Sequence, residues 1–356
     1  MAAAAIGDRQ DEAVSRELVA IAGLAALLAI VFVLSLIVGS TWIPPRHVLA
    51  ILTGGGTSGT EWNVIEAIRL PRSLTATLAG ASLAVAGLQM QTLFRNPLAD
   101  PFALGVSAGA SLGVALVVLG GGLGASVAFG ATAGLAGDAA LTVAAIIGAS
   151  IVLSLVLAVS VRVESPTTVL IVGLMLGYAV SAFVTVLVGA SEPDRLQQFA
   201  AWGFGSFSGV TWGRLRLFGP VTLVGLALAA ATTKQLNALL LGERYARSMG
   251  MAVRRARLVT VMGASLLGAV VTAFCGPISF LGIAVPHLCR GLLGTSDHRA
   301  LVPAVALLGA SVALVAQIVA LLPSAGVLPL NAVTSLIGAP VVVTVLMRTR
   351  RGAFAV

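Results

Sequence analysis

The chain has 356 residues, 58% of them hydrophobic and only 10% charged, with 21 Lys and Arg against 13 Asp and Glu. A soluble domain carries about 25% charged residues, and with a mean hydropathy of +1.05 too few charges remain to coat an aqueous surface. Ordinary cytosolic, secreted and disordered proteins are excluded. The composition implies an all-α polytopic membrane protein, and at ~20 apolar residues per span there is room for about ten transmembrane helices.

Residues 1–17 form a polar tail of mixed charge. The apolar run from Leu18 to Gly39 is longer than the roughly 7–15 residues of a signal-peptide core and reads as an uncleaved first span. The stretch Thr41–Glu66 holds Trp42, Pro44, Pro45, a Gly54-Gly55-Gly56 turn and Trp62; its tryptophans suit a membrane interface. A second span over Ala67–Phe94 ends in Arg95-Asn96-Pro97. Further apolar runs lie at 103–119, 140–161, 168–189, 214–233, 258–275, 277–290, 299–321 and 327–347, some short, Gly-rich or broken by proline. The membrane region is thus 18–348, followed by a tail at 349–356. Pro97, Pro101, Pro277, Pro286, Pro329 and Pro340 are expected to break or kink helices, which a membrane tolerates only where neighbours or a cavity satisfy the freed backbone groups.

The basic residues set the orientation. With ten spans and a cytoplasmic N-terminus, Arg46, Arg69, Arg72, Arg195, Arg214 and Arg216 fall outside and the other 15 of the 21 inside. Both termini are then cytoplasmic. The connection from Lys234 to Arg257 stands out on that side, with Lys234, Arg244, Arg247, Arg254, Arg255 and Arg257 against Glu243. Within it, Leu241, Tyr245 and Met249 recur at i, i+4, i+8, which predicts one short amphipathic helix over 239–250. Gly250 supplies a C-terminal stop. A lone apolar stripe needs something to bury it.

Energy and catalysis leave no trace in this chain. The thirteen acidic residues lie in tails, connections or the ends of apolar runs, not at mid-membrane where ion-driven carriers keep a carboxylate. A P-loop needs Gly-Lys-Ser/Thr, and the one lysine, Lys234, stands between Thr233 and Gln235. Cys275 and Cys289 lack C-x-x-C spacing and read as apolar packing residues; His47, His287 and His298 are too scattered for a metal site. An ion-coupled secondary carrier and a membrane enzyme on lipid-linked substrates are the rival classes. The first lacks its carboxylate, the second its paired acids.

Several strings occur in a fixed order: Arg69-Leu70-Pro71-Arg72, Gly80–Gln91, Arg95-Asn96-Pro97-Leu98-Ala99-Asp100-Pro101, Leu104–Gly109, Leu241–Gly250, Gly276–His287, Asp297-His298-Arg299 and Leu336–Pro340. With them the chain, from about residue 20 to residue 350, resembles the FecCD-type permeases. The resemblance implies a ten-helix permease subunit of a type II ABC importer for a ferric siderophore or related iron chelate. Haem and cobalamin are the alternative cargoes.

The resemblance also implies a bacterial cytoplasmic (inner) membrane location, a second permease copy in a homodimer, two cytoplasmic ATPase subunits and an extracytoplasmic binding protein. Lipid surrounds the subunit and nucleic acid has no part. The chain itself is no enzyme and has no cofactor or metal, since ATP and Mg belong to the ATPase. The family's ATPase-coupling helix falls on Leu241, Gly242, Glu243, Arg244, Tyr245, Ala246, Arg247, Met249 and Gly250. Arg69 and Arg72 match its positions for docking the binding protein, although Leu321, Val327 and Gln317 stand where further charges are usual. Small and polar groups near the helix breaks are the path-lining candidates: Gln89, Gln91, Asn96, Ser107, Ser111, Ser279, Asn331, Thr334 and Ser335. His287 reads as a hydrogen-bonded helix-end residue and Asp100 as a loop-fixing one.

Overall fold

The computed structural model describes residues 2–39, 41–55, 59–120, 138–163, 165–322 and 327–353. Side chains of the first 14 residues, of Asp138 and of most of the last turns, including Arg348, Arg350 and Arg351, are outside the description, so the two expected tails are only partly covered. Among the described residues every regular element is a helix.

The order is α1 (Ala2–Ile37), α2 (Pro45–Leu52), α3 (Thr60–Asn63), a π turn at Val64–Arg69, α4 (Leu70–Phe94), a 3₁₀ turn at Pro101–Leu104, α5 (Val106–Val118), α6 (Asp138–Arg162) and α7 (Pro166–Gly189). Then come α8 (Pro193–Gly203), α9 (Trp212–Ala231), α10 (Thr233–Leu240), α11 (Glu243–Ser248), α12 (Val253–Cys275), α13 (Leu281–Leu293), α14 (His298–Leu321) and α15 (Leu330–Ala353). The starts follow local chemistry. Pro166 and Pro193 open their helices in the first turn, where the missing N–H costs nothing, and the side chains of Asp100, Ser165 and Asp297 accept the first free backbone N–H groups.

Seven helical stretches are long and apolar enough to cross a membrane: Ser15–Ile37, Thr60–Phe94, Ala139–Arg162, Pro166–Gly189, Trp212–Ala231, Val253–Cys275 and His298–Leu321. The expected count of about ten differs from this by three shorter apolar helices, Val106–Val118, Leu281–Leu293 and Leu330–Thr344. Each follows a break that holds proline: Pro97 with Pro101, Gly276-Pro277, and Pro329. The second span also starts earlier than its hydropathy indicates, because the π turn joins α3 to α4 without interruption.

The centre is α4, in which every residue from Ala79 to Phe94 is buried. Lipid tails are as apolar as side chains, so helices in a membrane associate through close packing rather than through the hydrophobic effect. Gly80, Ala81, Ser82, Ala84, Ala86 and Gly87 provide that closeness. A Cβ at Gly87 would collide with the backbone of Gly282 on α13, and one at Gly80 with the backbone of Gly309 on α14. On the outside, α1 exposes Leu18, Val19, Leu27 and Ile30, and α9 exposes Leu217, Leu223, Val224 and Leu228.

Candidate functional site

One end of the bundle carries the 234–257 connection. The single helix expected over 239–250 is in fact two, because Gly242 has φ 115, a conformation open to glycine and costly for other residues. The chain turns there from α10 into α11, and the short α11 then ends before Gly250 at φ 83. Leu241, Tyr245 and Met249 are 66%, 52% and 54% exposed, while Ala246 is fully buried.

Polar contacts fix this turn to the bundle. Arg257 on α12 donates from Nη2 to Glu243 Oε1 at 2.7 Å, and Arg247 approaches Glu243 Oε2 at 3.7 Å. Glu243, one of the expected coupling residues, thus ties the turn to α12. Arg95, just past the end of α4, donates to the carbonyl of Leu239 at 3.0 Å. Asn237 on α10 donates to Asp297 Oδ1 at 2.6 Å, accepts from the backbone N–H of His298 at 2.9 Å and faces His298 Nδ1 at 2.7 Å. Because Asn237 Oδ1 only accepts, we assign the ring proton to Nδ1, which leaves Nε2 facing the Thr92 hydroxyl at 2.8 Å.

Asp297 is held below the usual carboxylate range. Burial opposes its ionisation, but the Arg299 N–H, the Asn237 amide and the Arg299 charge outweigh it. This junction of α4, α10 and α14 was not read from the sequence beyond the Asp297-His298-Arg299 string; an Asp just before a helix start is the signal that could have found its cap. A cavity of about 790 Å³ lies beside it, between Thr92–Arg95, Pro166, Thr167 and the turn Leu241–Tyr245.

At the opposite end three helix breaks satisfy one another. Ser206 N–H donates to the Cys275 carbonyl at 2.7 Å, Asn331 N–H to the Phe204 carbonyl at 3.0 Å, and Ser279 N–H to Asn331 Oδ1 at 3.1 Å. These bonds satisfy backbone groups that the helix breaks leave free. The Asn331 carbonyl also receives the hydroxyls of Thr334 at 3.1 Å and Ser335 at 2.6 Å.

The two arginines expected to dock the binding protein separate. Arg69 is 4% exposed, and its guanidinium donates to the carbonyls of Leu36 at 2.7 Å, Ile37 at 2.8 Å and Thr41. It caps the free carbonyls at the end of α1, so in the single chain Arg69, expected to dock the binding protein, is committed to carbonyls of its own chain. Arg72 is half-buried and lines a small cavity with Ser206, Gln317, Leu321 and Val327. Its Nε and the Gln317 Oε1 have no hydrogen-bond partner among the described residues.

The path candidates divide in the same way. Gln89 is buried and donates to Thr232 Oγ1 at 3.2 Å. Gln91 is buried, donates to the carbonyls of Gly282 and Ile283 at 3.2 Å and accepts from Arg290 at 2.7 Å. Thr334 is 3% exposed. In the single chain Gln89 and Gln91 link helices, and Thr334 bonds within its own helix. Asn96, Ser107, Ser111, Ser279, Asn331 and Ser335 are half-buried. His287 Nε2 meets the Pro97 carbonyl at 2.8 Å, and Asp100 accepts from Ala103 N–H at 2.8 Å, so both secure the turn between α4 and α5. Among the described residues no group of three metal-ligating side chains occurs.

Residues 27–348 match the FecCD transport family. The vitamin B12 import system permease protein BtuC of Klebsiella pneumoniae is 39% identical over 329 residues, covering 92% of this chain and 93% of that protein. An uncharacterised ABC transporter permease protein of Bacillus subtilis, YvrB, is 35% identical over 335 residues, with 92% and 93% covered. A solved structure described as an inward-facing conformation of a metal-chelate type ABC transporter superposes with a TM-score of 0.79 at 29% identity, covering 92% of this chain and 98% of that one.

Proposed function

The chain belongs to the FecCD transport family, and on that premise we propose that it forms the path by which an ABC importer moves cobalamin or a related corrinoid inward. It is a multi-pass inner-membrane permease subunit that works with a separate ATPase and a substrate-binding protein. The observation that carries the coupling role is the exposure of Leu241, Tyr245 and Met249 on a turn tied to α12 by the Glu243–Arg257 pair. Three large apolar side chains exposed within nine residues mark an interaction surface. An ATPase groove that buries them would pull on α12 through Arg257, on α4 through Arg95 and on α14 through Asn237.

Cobalamin is preferred to the ferric siderophore expected from the sequence because relatives with 37–39% identity over more than nine-tenths of the chain are vitamin B12 import permeases. A metal chelate is the second reading, favoured by the superposed metal-chelate type transporter. In the proposed assembly two copies enclose the path, both termini and the 234–257 connection are cytoplasmic, and Arg72 with Gln317 receives an acidic residue of the binding protein.

The test is reconstitution in proteoliposomes with the partner ATPase and binding protein, followed by ATP-dependent uptake of labelled cyanocobalamin. Uptake that excess ferric chelate does not suppress is expected. Uptake of the ferric chelate without cyanocobalamin would overturn the corrinoid reading in favour of the second.

A further inference from the structure

Where α6 ends, Ser160, Arg162, Arg247, Arg254 and Arg257 line a cavity of about 180 Å³. We propose that this pocket binds the phosphate headgroup of an anionic phospholipid, behind the coupling turn with which it shares Arg247 and Arg257.

Two donors in the pocket lack a partner among the described residues. Arg257 is 5% exposed and Ser160 3% exposed. Arg257 gives Nη2 to Glu243 and Nη1 to the Val163 carbonyl at 3.4 Å, which leaves its Nε with no partner among the described residues. The Ser160 hydroxyl is also without one. Buried polar groups are paired in the great majority of cases, and leaving a charged donor unpaired is expensive. Arg254 commits one end to the Val161 carbonyl at 2.6 Å. Neither it nor Arg162 has an acidic partner among the described residues. Four guanidinium groups therefore surround one cavity, and Glu243 is the described carboxylate in contact with any of them. A phosphate diester, with its acceptor oxygens and fixed negative charge, meets that donor set.

Position selects a lipid as the source. Arg162 is the last residue of an apolar helix of 25 residues, so the pocket sits where the membrane meets water. Ile147, Ile151 and Leu155 are 45%, 57% and 50% exposed. Steps of four, four and then seven residues keep them and Arg162 on one helix face. This apolar row runs for ~22 Å at 1.5 Å per residue and ends at the guanidinium cluster. An acyl chain along the row delivers its phosphate into the pocket. Basic pockets at the cytoplasmic ends of membrane helices bind anionic headgroups by this logic.

The test uses the purified full chain, delipidated in a mild non-ionic detergent, with native mass spectrometry and thermal unfolding as readouts. Phosphatidylglycerol and cardiolipin are expected to remain as adducts and to raise the unfolding midpoint, while phosphatidylcholine and inorganic phosphate at equal concentration do neither. The pair R162Q/R254Q should weaken phosphatidylglycerol binding by about ten-fold or more; R162Q alone, on an exposed side chain, should weaken it without lowering the lipid-free midpoint. An equal shift from inorganic phosphate would overturn the proposal, as would undiminished lipid binding by the variants. Loss of the adducts when the ATPase binds, with Arg162 or Arg254 crosslinked to an acidic ATPase residue, would assign the pocket to that partner instead.

Discussion

The carboxylate of Glu243 lies 2.7 Å from Nη2 of Arg257, a side chain only 6% exposed, and this pair joins the first turn of α11 to the start of α12. Removing one member of a buried pair leaves the other charged and unsatisfied, at a cost of about 3–5 kcal/mol in the interior. Glu243 is 26% exposed, so water offsets part of that here. Glu243→Ala is expected to cost about 2 kcal/mol and to lower the detergent unfolding midpoint. It should also reduce ATPase activity stimulated by the binding protein far more than it reduces copurification of the ATPase. Equal loss of both would show that Glu243 merely contacts the ATPase.

Tyr245→Ala with Met249→Ala should behave in the opposite way. Both side chains are more than half exposed, and surface changes of this kind alter stability by about 0.5 kcal/mol or less. The unfolding midpoint of the isolated chain should therefore stay in place. Affinity for the ATPase, by surface plasmon resonance in detergent, should fall at least about ten-fold, since a few buried apolar anchors carry most of an interface. Unchanged affinity would remove the coupling surface from the mechanism.

Hydropathy exposed the helical class, most span positions and the basic connection, because burial in lipid leaves long apolar runs that no other solvent demands. The direction in which a side chain points was not legible. The pattern around Arg69 and Arg72 is the same whether an arginine docks a partner, snorkels to phosphate or caps a helix; only the third dimension brings the carbonyls of Leu36 and Ile37 to Arg69. Gln89 and Gln91 sit two residues apart in a run of small residues, and their partners Thr232 and Gly282 are 143 and 191 positions away. The break at Gly242 is a backbone property that apolar periodicity cannot report, so a stripe that reads as one helix folds as two. The mutual satisfaction of the breaks near Ser206, Ser279 and Asn331 likewise joins residues that no local rule relates.

Close packing around α4 gives a sharp contrast between two glycines. Gly87→Ala places a methyl group against the backbone of Gly282, where no flexible side chain can yield. Overpacking of this kind costs about 3 kcal/mol or more, and the variant should unfold at a clearly lower temperature or fail to accumulate. Gly263→Ala on α12 meets nothing within 4 Å. It should stabilise by about 0.5–1 kcal/mol through the reduced freedom of the unfolded chain. Fluorescence-detected size-exclusion after heating distinguishes the two; similar midpoints would refute the packing argument.

Asp100 supplies the pH test. Its carboxylate fixes the turn before the 3₁₀ segment by accepting from Ala103 N–H. Burial pushes its pKa up to about 6, against the opposing backbone hydrogen bonds of Ala103 and Phe102. The folded pKa lies above the unfolded value of about 3.9, so the folded state binds the proton more tightly. The stability this adds is complete below about pH 4 and is lost as pH rises through about 6. At pH 8 the folded protein holds an ionised carboxylate that its surroundings disfavour. Asp100→Asn keeps an oxygen for the cap and removes the charge. The variant should be more stable than the parent by about 1–2 kcal/mol at pH 8, with the difference closing as the pH falls towards 4. Thermal unfolding at pH 8, 6 and 4.5 checks this, and a difference that stays constant or grows on acidification contradicts the assignment.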